Sequence, residues 1–237
     1  GDIPAGPTMA QPKVDPAKRT QTTRATMEDK VPQTRIYRVW NVAQYGAEDL
    51  ERLQLLAQVL GGSRASRLDQ RLFFGDKTVD RVSASMDASE LGGTFDITAD
   101  IKEGVDPAVV EKAINEELQR LLREGPTQAE LDQARTVFKA GFIRGIERIG
   151  GFGGKADALA ECTIYTGDPG CFRGQLQRIA TATPAQVKAA GNKWLRAGDH
   201  TLTIQPGEVT PIAEETSPPP PPSKVAAAWF NARNTPS

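Results

Sequence analysis

The chain has 237 residues, with 29 Lys and Arg against 30 Asp and Glu, 38% hydrophobic and only 6% aromatic residues. That length suits one large domain with tails or two small domains, while the net charge of −1 leaves no electrostatic footprint for nucleic acid, and no apolar run nears the ~18 residues that a membrane span needs. One His, His200, and two Cys exclude a catalytic zinc held by two or three imidazoles of this chain.

The chain opens on Gly1, has its first Met at Met9, and shows no basic-then-apolar leader, so it reads as a piece of something longer. Residues 1–18 carry four prolines and no periodicity, an extended lead-in. Residues 20–28 and 34–42 are rich in Thr, Val and aromatics around Pro32 and are expected to pair as a hairpin. Residues 47–60 switch to helical spacing, with Leu50, Leu53, Leu56, Ala57 and Leu60 on one stripe, and Gly61-Gly62 ends it. A short helix over 65–74 stops at Gly75. Residues 78–85 and 93–101 alternate apolar and polar and form a second hairpin across 90–92.

The second half is helical. Asp106-Pro107 opens a helix with a capping carboxylate and Pro in the first turn, and Gly125-Pro126 stops it. Thr127 and Glu130 have capping-box spacing and open a helix reaching Ile149. GGFGG then breaks the chain, residues 156–165 are helical, and Asp168-Pro169 and Thr183-Pro184 open two more helices. Residues 200–204 form a closing strand. The sum is α+β: a mostly antiparallel sheet with helices on one face, a body over 19–206 and a tail over 207–237. In that tail Pro218 to Pro222 form a stiff polyproline linker before Trp229 and Phe230.

Several motifs carry less chemistry than they suggest. Gly151-Phe152-Gly153-Gly154 fits a dinucleotide fingerprint in letters only, because a long helix precedes it where a strand is needed; it reads as a helix–helix hinge. The pairs Glu48/Asp49 and Glu116/Glu117 lie on charged helix faces and are expected to face solvent. His200 is expected at a partly exposed sheet edge. Cys162 and Cys171 flank the turn Gly167-Asp168-Pro169-Gly170, which can bring them within bonding reach. In an oxidising compartment a bridge and two free thiols are both open to them; in a reducing one they are two small buried thiols.

Taken together, GDIPAGP, Leu60-Gly61-Gly62 followed by Ser66-Arg67-Leu68, Val82-Ser83-Ala84, Gly125-Pro126-Thr127, IERIGGFGGKADALAECTIYTGDP and Thr183-Pro184-Ala185 give the chain its likeness. In this order it resembles the pitrilysin/insulinase-type zinc peptidases, the group of mitochondrial processing peptidase and the bacterial two-half zinc proteases. The resemblance implies one metal-free, non-catalytic unit of a clamshell, with zinc, its ligands and the water-activating Glu in a partner domain or homologous subunit, and a peptide as substrate. Such units share one α+β fold, and a bacterial periplasm or cell envelope is the expected location. Arg67 falls where the family's substrate-binding Arg lies, and an intradomain salt bridge is the competing role for it. The family's Tyr partner falls at about Asp80, whose ionised carboxylate donates no hydrogen bond. A peptidase-derived scaffold without a proteolytic partner is the alternative function.

Overall fold

The computed structural model describes residues 15–150 and 152–209. The GDIPAGP lead-in, the polyproline run and the Trp229-Phe230 tail lie outside them.

Five strands form one sheet: β1 (Thr23–Asp29), β2 (Arg35–Val42), β3 (Val79–Ala88), β4 (Gly93–Ile101) and β5 (His200–Pro206). Their order across the sheet is β1-β5-β2-β4-β3. The β3–β4 hairpin is the one expected, with Ala88 opposite Gly93 at its turn end. The first expected hairpin is not formed. The last strand, β5, enters between β1 and β2, parallel to the first and antiparallel to the second. The physical reason is local: the connection between β1 and β2 has no tight primed turn of the kind that holds two strands as neighbours. Instead Thr23 donates its N–H to the Asp199 carbonyl at 2.8 Å, so the start of β5 sets the position of β1. β5 is therefore an interior strand, and His200 is not at an edge as expected.

Alternation along the strands divides the sheet into two faces. Ile36, Arg38, Trp40 and Val42 of β2 point with Phe95, Ile97, Ala99 and Ile101 of β4 into the buried side. The Trp40 and Phe95 rings meet edge-on, with centroids 6.0 Å apart. Helices cover this side: α1 (Leu50–Gly61), α2 (Pro107–Glu124) and α6 (Pro184–Leu195) each bury an apolar stripe against it. Gly61, the last residue of α1, lies against β3: a Cβ there would sit 2.5 Å from the Ala84 backbone nitrogen, so this glycine allows a close helix–strand approach.

The helix starts follow their caps. Asp106 accepts from the Ala108 N–H at 2.9 Å ahead of Pro107, and Thr127–Glu130 and Thr183–Gln186 both close full capping boxes. The expected short helix at 65–74 is mainly a π-helical segment, Asp69–Gly75. α3 (Gln128–Ile146), α4 (Lys155–Thr166) and α5 (Cys171–Thr181) form a lobe beside the sheet. Asp168-Pro169 belongs to the turn before α5, with Asp168 Oδ1 accepting from the Gly170 N–H at 2.8 Å; the helix itself begins at Cys171. The fold is α+β, as the sequence pattern implies.

Candidate functional site

Opposite the helical layer, the sheet carries a polar face that no described helix covers. Strand register places Arg35, Tyr37, Val39 and Asn41 of β2 beside Asp100, Thr98, Asp96 and Thr94 of β4, which in turn face Arg81, Ser83, Ser85 and Asp87 of β3. These side chains are half-buried or exposed, against near-complete burial of their neighbours in sequence. Arg35 binds the Asp100 carboxylate and donates to the Tyr37 hydroxyl at 3.0 Å, and these partners hold its guanidinium firmly protonated. Burial pushes the Asp96 carboxyl above its ordinary range, although Thr94 donates to it at 2.7 Å. His200 joins this face through its Nδ1, 2.8 Å from Thr23 Oγ1. The arrangement is a mixed wall: hydroxyls, the Asn41 amide and charged groups cover β2, β4 and β3, while Leu202 and Ile204 of β5 lie beside Tyr37 and Arg35. It offers hydrogen bonds along its length and no assembled acid–base pair. Among the described residues no three His, Cys, Asp or Glu side chains come together in a metal-holding group.

Arg67 lies at the other end of the domain's chemistry. It follows the Gly61-Gly62 break, and its side chain is only 9% exposed. Nε donates to Glu130 Oε1 at 2.7 Å, and Nη2 donates to Glu130 Oε2 at 2.8 Å and to the Gly125 carbonyl at 3.1 Å. Nη1 is buried without a partner. Glu130 is also the carboxylate of the α3 capping box, accepting from the Thr127 N–H at 2.7 Å. The Arg67 guanidinium, burial opposing, and the Thr127 donors hold the Glu130 carboxyl down to about 2. The fork of Arg67 therefore closes on the corner between α2 and α3, where Gly125 has φ +82°. Asp80 engages neither group; it accepts a long 3.4 Å bond from Gln33.

Cys162 and Cys171 are bonded to each other, tying α4 to α5 with Cα atoms 5.4 Å apart. Tyr45 packs over this link, its ring 4.7 Å from that of Tyr165 and its hydroxyl accepting from Gln175 at 3.0 Å.

Six buried charges are not apparent from the sequence: Arg38, Asp49, Glu51, Asp69, Glu117 and Asp199. Asp49 and Glu117, expected in solvent, are 8% and 5% exposed. Asp49 takes Lys193 Nζ at 2.6 Å and the Trp194 indole at 3.0 Å, while Glu117 pairs with Arg120 at 2.6 Å. Arg38 and Asp199 form a buried pair at 2.6 Å, and Thr22 and Thr201 complete the carboxylate's shell. Burial works to raise the Asp199 carboxyl, but Arg38 and the hydroxyls hold it below its ordinary value. A signal for two of them is present: Glu117 falls on the stripe of Val110, Ile114, Leu118 and Leu121, and Arg38 alternates in step with Ile36 and Trp40.

Comparison with known proteins gives a consistent picture. Residues 1–138 match the family model described as the peptidase M16 inactive domain. A protease from Helicobacter pylori superposes with a TM-score of 0.74 at 18% identity, over 85% of this chain and 48% of that one. A peptidase M16 inactive domain from Pseudomonas fluorescens gives 0.71 at 21% identity, over 89% of this chain and 49% of that one. The periplasmic protease PqqL from Escherichia coli gives 0.63 at 13% identity, over 79% of this chain and 21% of that one. The chain thus spans about half the length of the first two. No curated protein matches it.

Proposed function

Because this chain belongs to the family of M16 peptidase inactive domains, we propose that it is a non-catalytic wall of a peptide-cleaving chamber, closed by a separate zinc-bearing unit. The observation that carries this reading is the uncovered polar sheet face. Every described helix that packs on the sheet lies behind it, so the face is free to line a cavity while the helices form the outer shell. A wall of hydroxyl, amide and charged side chains can hydrogen-bond a peptide without performing chemistry on it. The zinc ligands and the carboxylate that activates water belong, on this reading, to the companion unit, which supplies a metal-activated nucleophile. His200 is the sole imidazole of the chain and is committed to Thr23, so no step is assigned to this chain's own residues.

The domain spans residues 19–206, between the lead-in and the Pro-rich tail. Arg67, the substrate-binding residue suggested by the family pattern, acts here through the α2–α3 corner: it positions the start of α3 by gripping Glu130, and its contribution to substrate is secondary. A bacterial periplasm or envelope fits the Cys162–Cys171 link.

The test mixes purified chain with the zinc-bearing unit of its parent protein and follows cleavage of a fluorogenic peptide. The chain alone, with added zinc, should give no turnover; the mixture should give turnover that a chelator abolishes. Chelator-sensitive hydrolysis by the homogeneous chain, or a zinc-bearing unit equally active without it, overturns the reading and in the second case favours a scaffold.

A further inference from the structure

The second half of α3 leaves the shelter of the domain. Only Leu131 and Ala134 of that helix are buried, yet Phe138, Phe142 and Ile146 continue at four-residue spacing along one ridge. α5 runs alongside and contributes Phe172 and Leu176, and the Phe142 and Phe172 rings stack with centroids 5.9 Å apart. Between the two helices lies a solvent-open groove of about 680 Å³. Ile143, on its lining, is 43% exposed.

The charges of this groove have one sign. Its lining includes Arg135, Lys139 and Arg173 and no carboxylate. Arg135 is committed to Asp132 and to the carbonyls of Ile179 and Ala182. Lys139 and Arg173 are exposed and make no ion pair among the described residues; Arg173 lies over the Phe172 ring at 5.7 Å. Two cations beside an apolar trough leave a specific chemical vacancy, one that an apolar ridge flanked by carboxylates would fill.

We propose that the groove receives an amphipathic helix with acidic flanks, supplied by the companion unit, which lies between α3 and α5 as a third helix. From Phe138 to Ile146 the ridge rises ~12 Å, about two helical turns. That length suits anchors at i, i+4 and i+7 in a helix-in-groove contact. A second copy of this chain is a poor occupant, because the same groove facing itself sets Lys139 and Arg173 against their own images. An enclosed ligand is equally poorly served by a groove open along its side. The source of the helix rests on the reading of this chain as one unit of a larger peptidase; the chemistry of the groove does not.

Two measurements separate these points. In the first, a fluorescent helical peptide of about fourteen residues, with Leu at i, i+4 and i+7 and Glu on its flanks, is titrated against the intact chain, beside a twin carrying Lys for Glu. The acidic peptide should bind at least about tenfold tighter than the basic one, and Ile143→Asp should weaken it by about tenfold or more. The double variant Lys139→Glu/Arg173→Glu should invert the preference. All three positions are exposed, and unchanged circular dichroism verifies that the variants fold. Equal binding of both peptides, or binding indifferent to Ile143→Asp, overturns the proposal. In the second, wild type and Ile143→Asp are compared for association with the zinc-bearing unit, the variant being expected to bind about tenfold more weakly. A pair that assembles and cleaves peptide with association unmoved by Ile143→Asp refutes the groove assignment and leaves the proposed function standing. No association of the wild type refutes the proposed function and, with it, the named source of the helix.

Discussion

The sheet with α1, α2 and α6 behind it, and the lobe of α3, α4 and α5 beside it, are held by different forces. Helix α1 buries nine of its residues and α2 seven, whereas α4 buries only Cys162 and α5 only Ile179. The first region is stabilised by apolar burial, which is non-directional and scales with area. The lobe has too little buried area for that and depends on discrete links. These are the Cys162–Cys171 bond, the paired contact of Arg178 with Glu51 at 2.8 and 2.7 Å, and Arg135 reaching the carbonyls at the end of α5. A region tied by links can open without unfolding its neighbour.

The contrast breaks most visibly in the core. Leu53 of α1 is fully buried, and Leu53→Ala removes apolar atoms while leaving a cavity. It should lower the free energy of global unfolding by about 2–5 kcal/mol, read as a shift of the denaturant midpoint with an unchanged slope. A negligible shift would mean that the helical layer is not the stabilising core. Next comes the link of the lobe. The double substitution Cys162→Ser/Cys171→Ser releases a short closed loop, worth on the order of 2–3 kcal/mol in the chain-entropy account. The loss should be local: amides of α4 should exchange faster, while strand amides of β2 and β4 keep their protection. Equal loss of protection in sheet and lobe would erase the distinction between the two regions. Smaller again is Arg178→Ala, which strips the partner from Glu51, a carboxylate 1% exposed on the inner helix. It should cost about 1–3 kcal/mol, because a buried acceptor loses its charged donors. If Glu51→Gln/Arg178→Ala together cost as much as Arg178→Ala alone, the pair contributes through packing and not through charge.

The packed region was the more legible one. Apolar stripes on α1 and α2, the capping box at Thr127, the helix start at Thr183-Pro184 and the β3–β4 alternation all express local rules that sequence displays directly. The placement of β5 between β1 and β2 is different in kind. It is a pairing across 177 positions, from Thr23 to His200, and no local pattern distinguishes an interior strand from a closing one. Buried charges were hidden for a related reason: Asp49 reads as a solvent-facing acid until α6 brings Lys193 and Trp194 to it. The disulfide partners could be matched through the turn between them, whereas Arg67 could be located by pattern but not oriented. Its direction depends on Glu130, sixty-three positions away, whose capping role was visible and whose second role was not.

That pair supplies the smallest effect. Glu130 is held down to about 2 in the folded chain, first by Arg67, against an ordinary value of 4.5. A carboxyl depressed by folding contributes stability that is fully present above 4.5 and is lost as the pH falls from there toward 2. With 30% of its side chain exposed, solvent screening trims this contribution, so a loss of about 1 kcal/mol is expected across that window. Glu130→Gln should flatten this part of the stability profile, and Arg67→Ala should flatten it less, because Thr127 still donates to the carboxylate. In the proposed complex with a zinc-bearing unit, Arg67→Ala should lower kcat/KM only modestly, by about tenfold or less, with Glu130→Gln producing a similar change, since both loosen the same corner. A loss of several orders of magnitude for Arg67→Ala with Glu130→Gln nearly silent would mean that the guanidinium leaves Glu130 to grip the peptide. The contrast between the two variants therefore distinguishes a residue that shapes the wall from one that reaches through it.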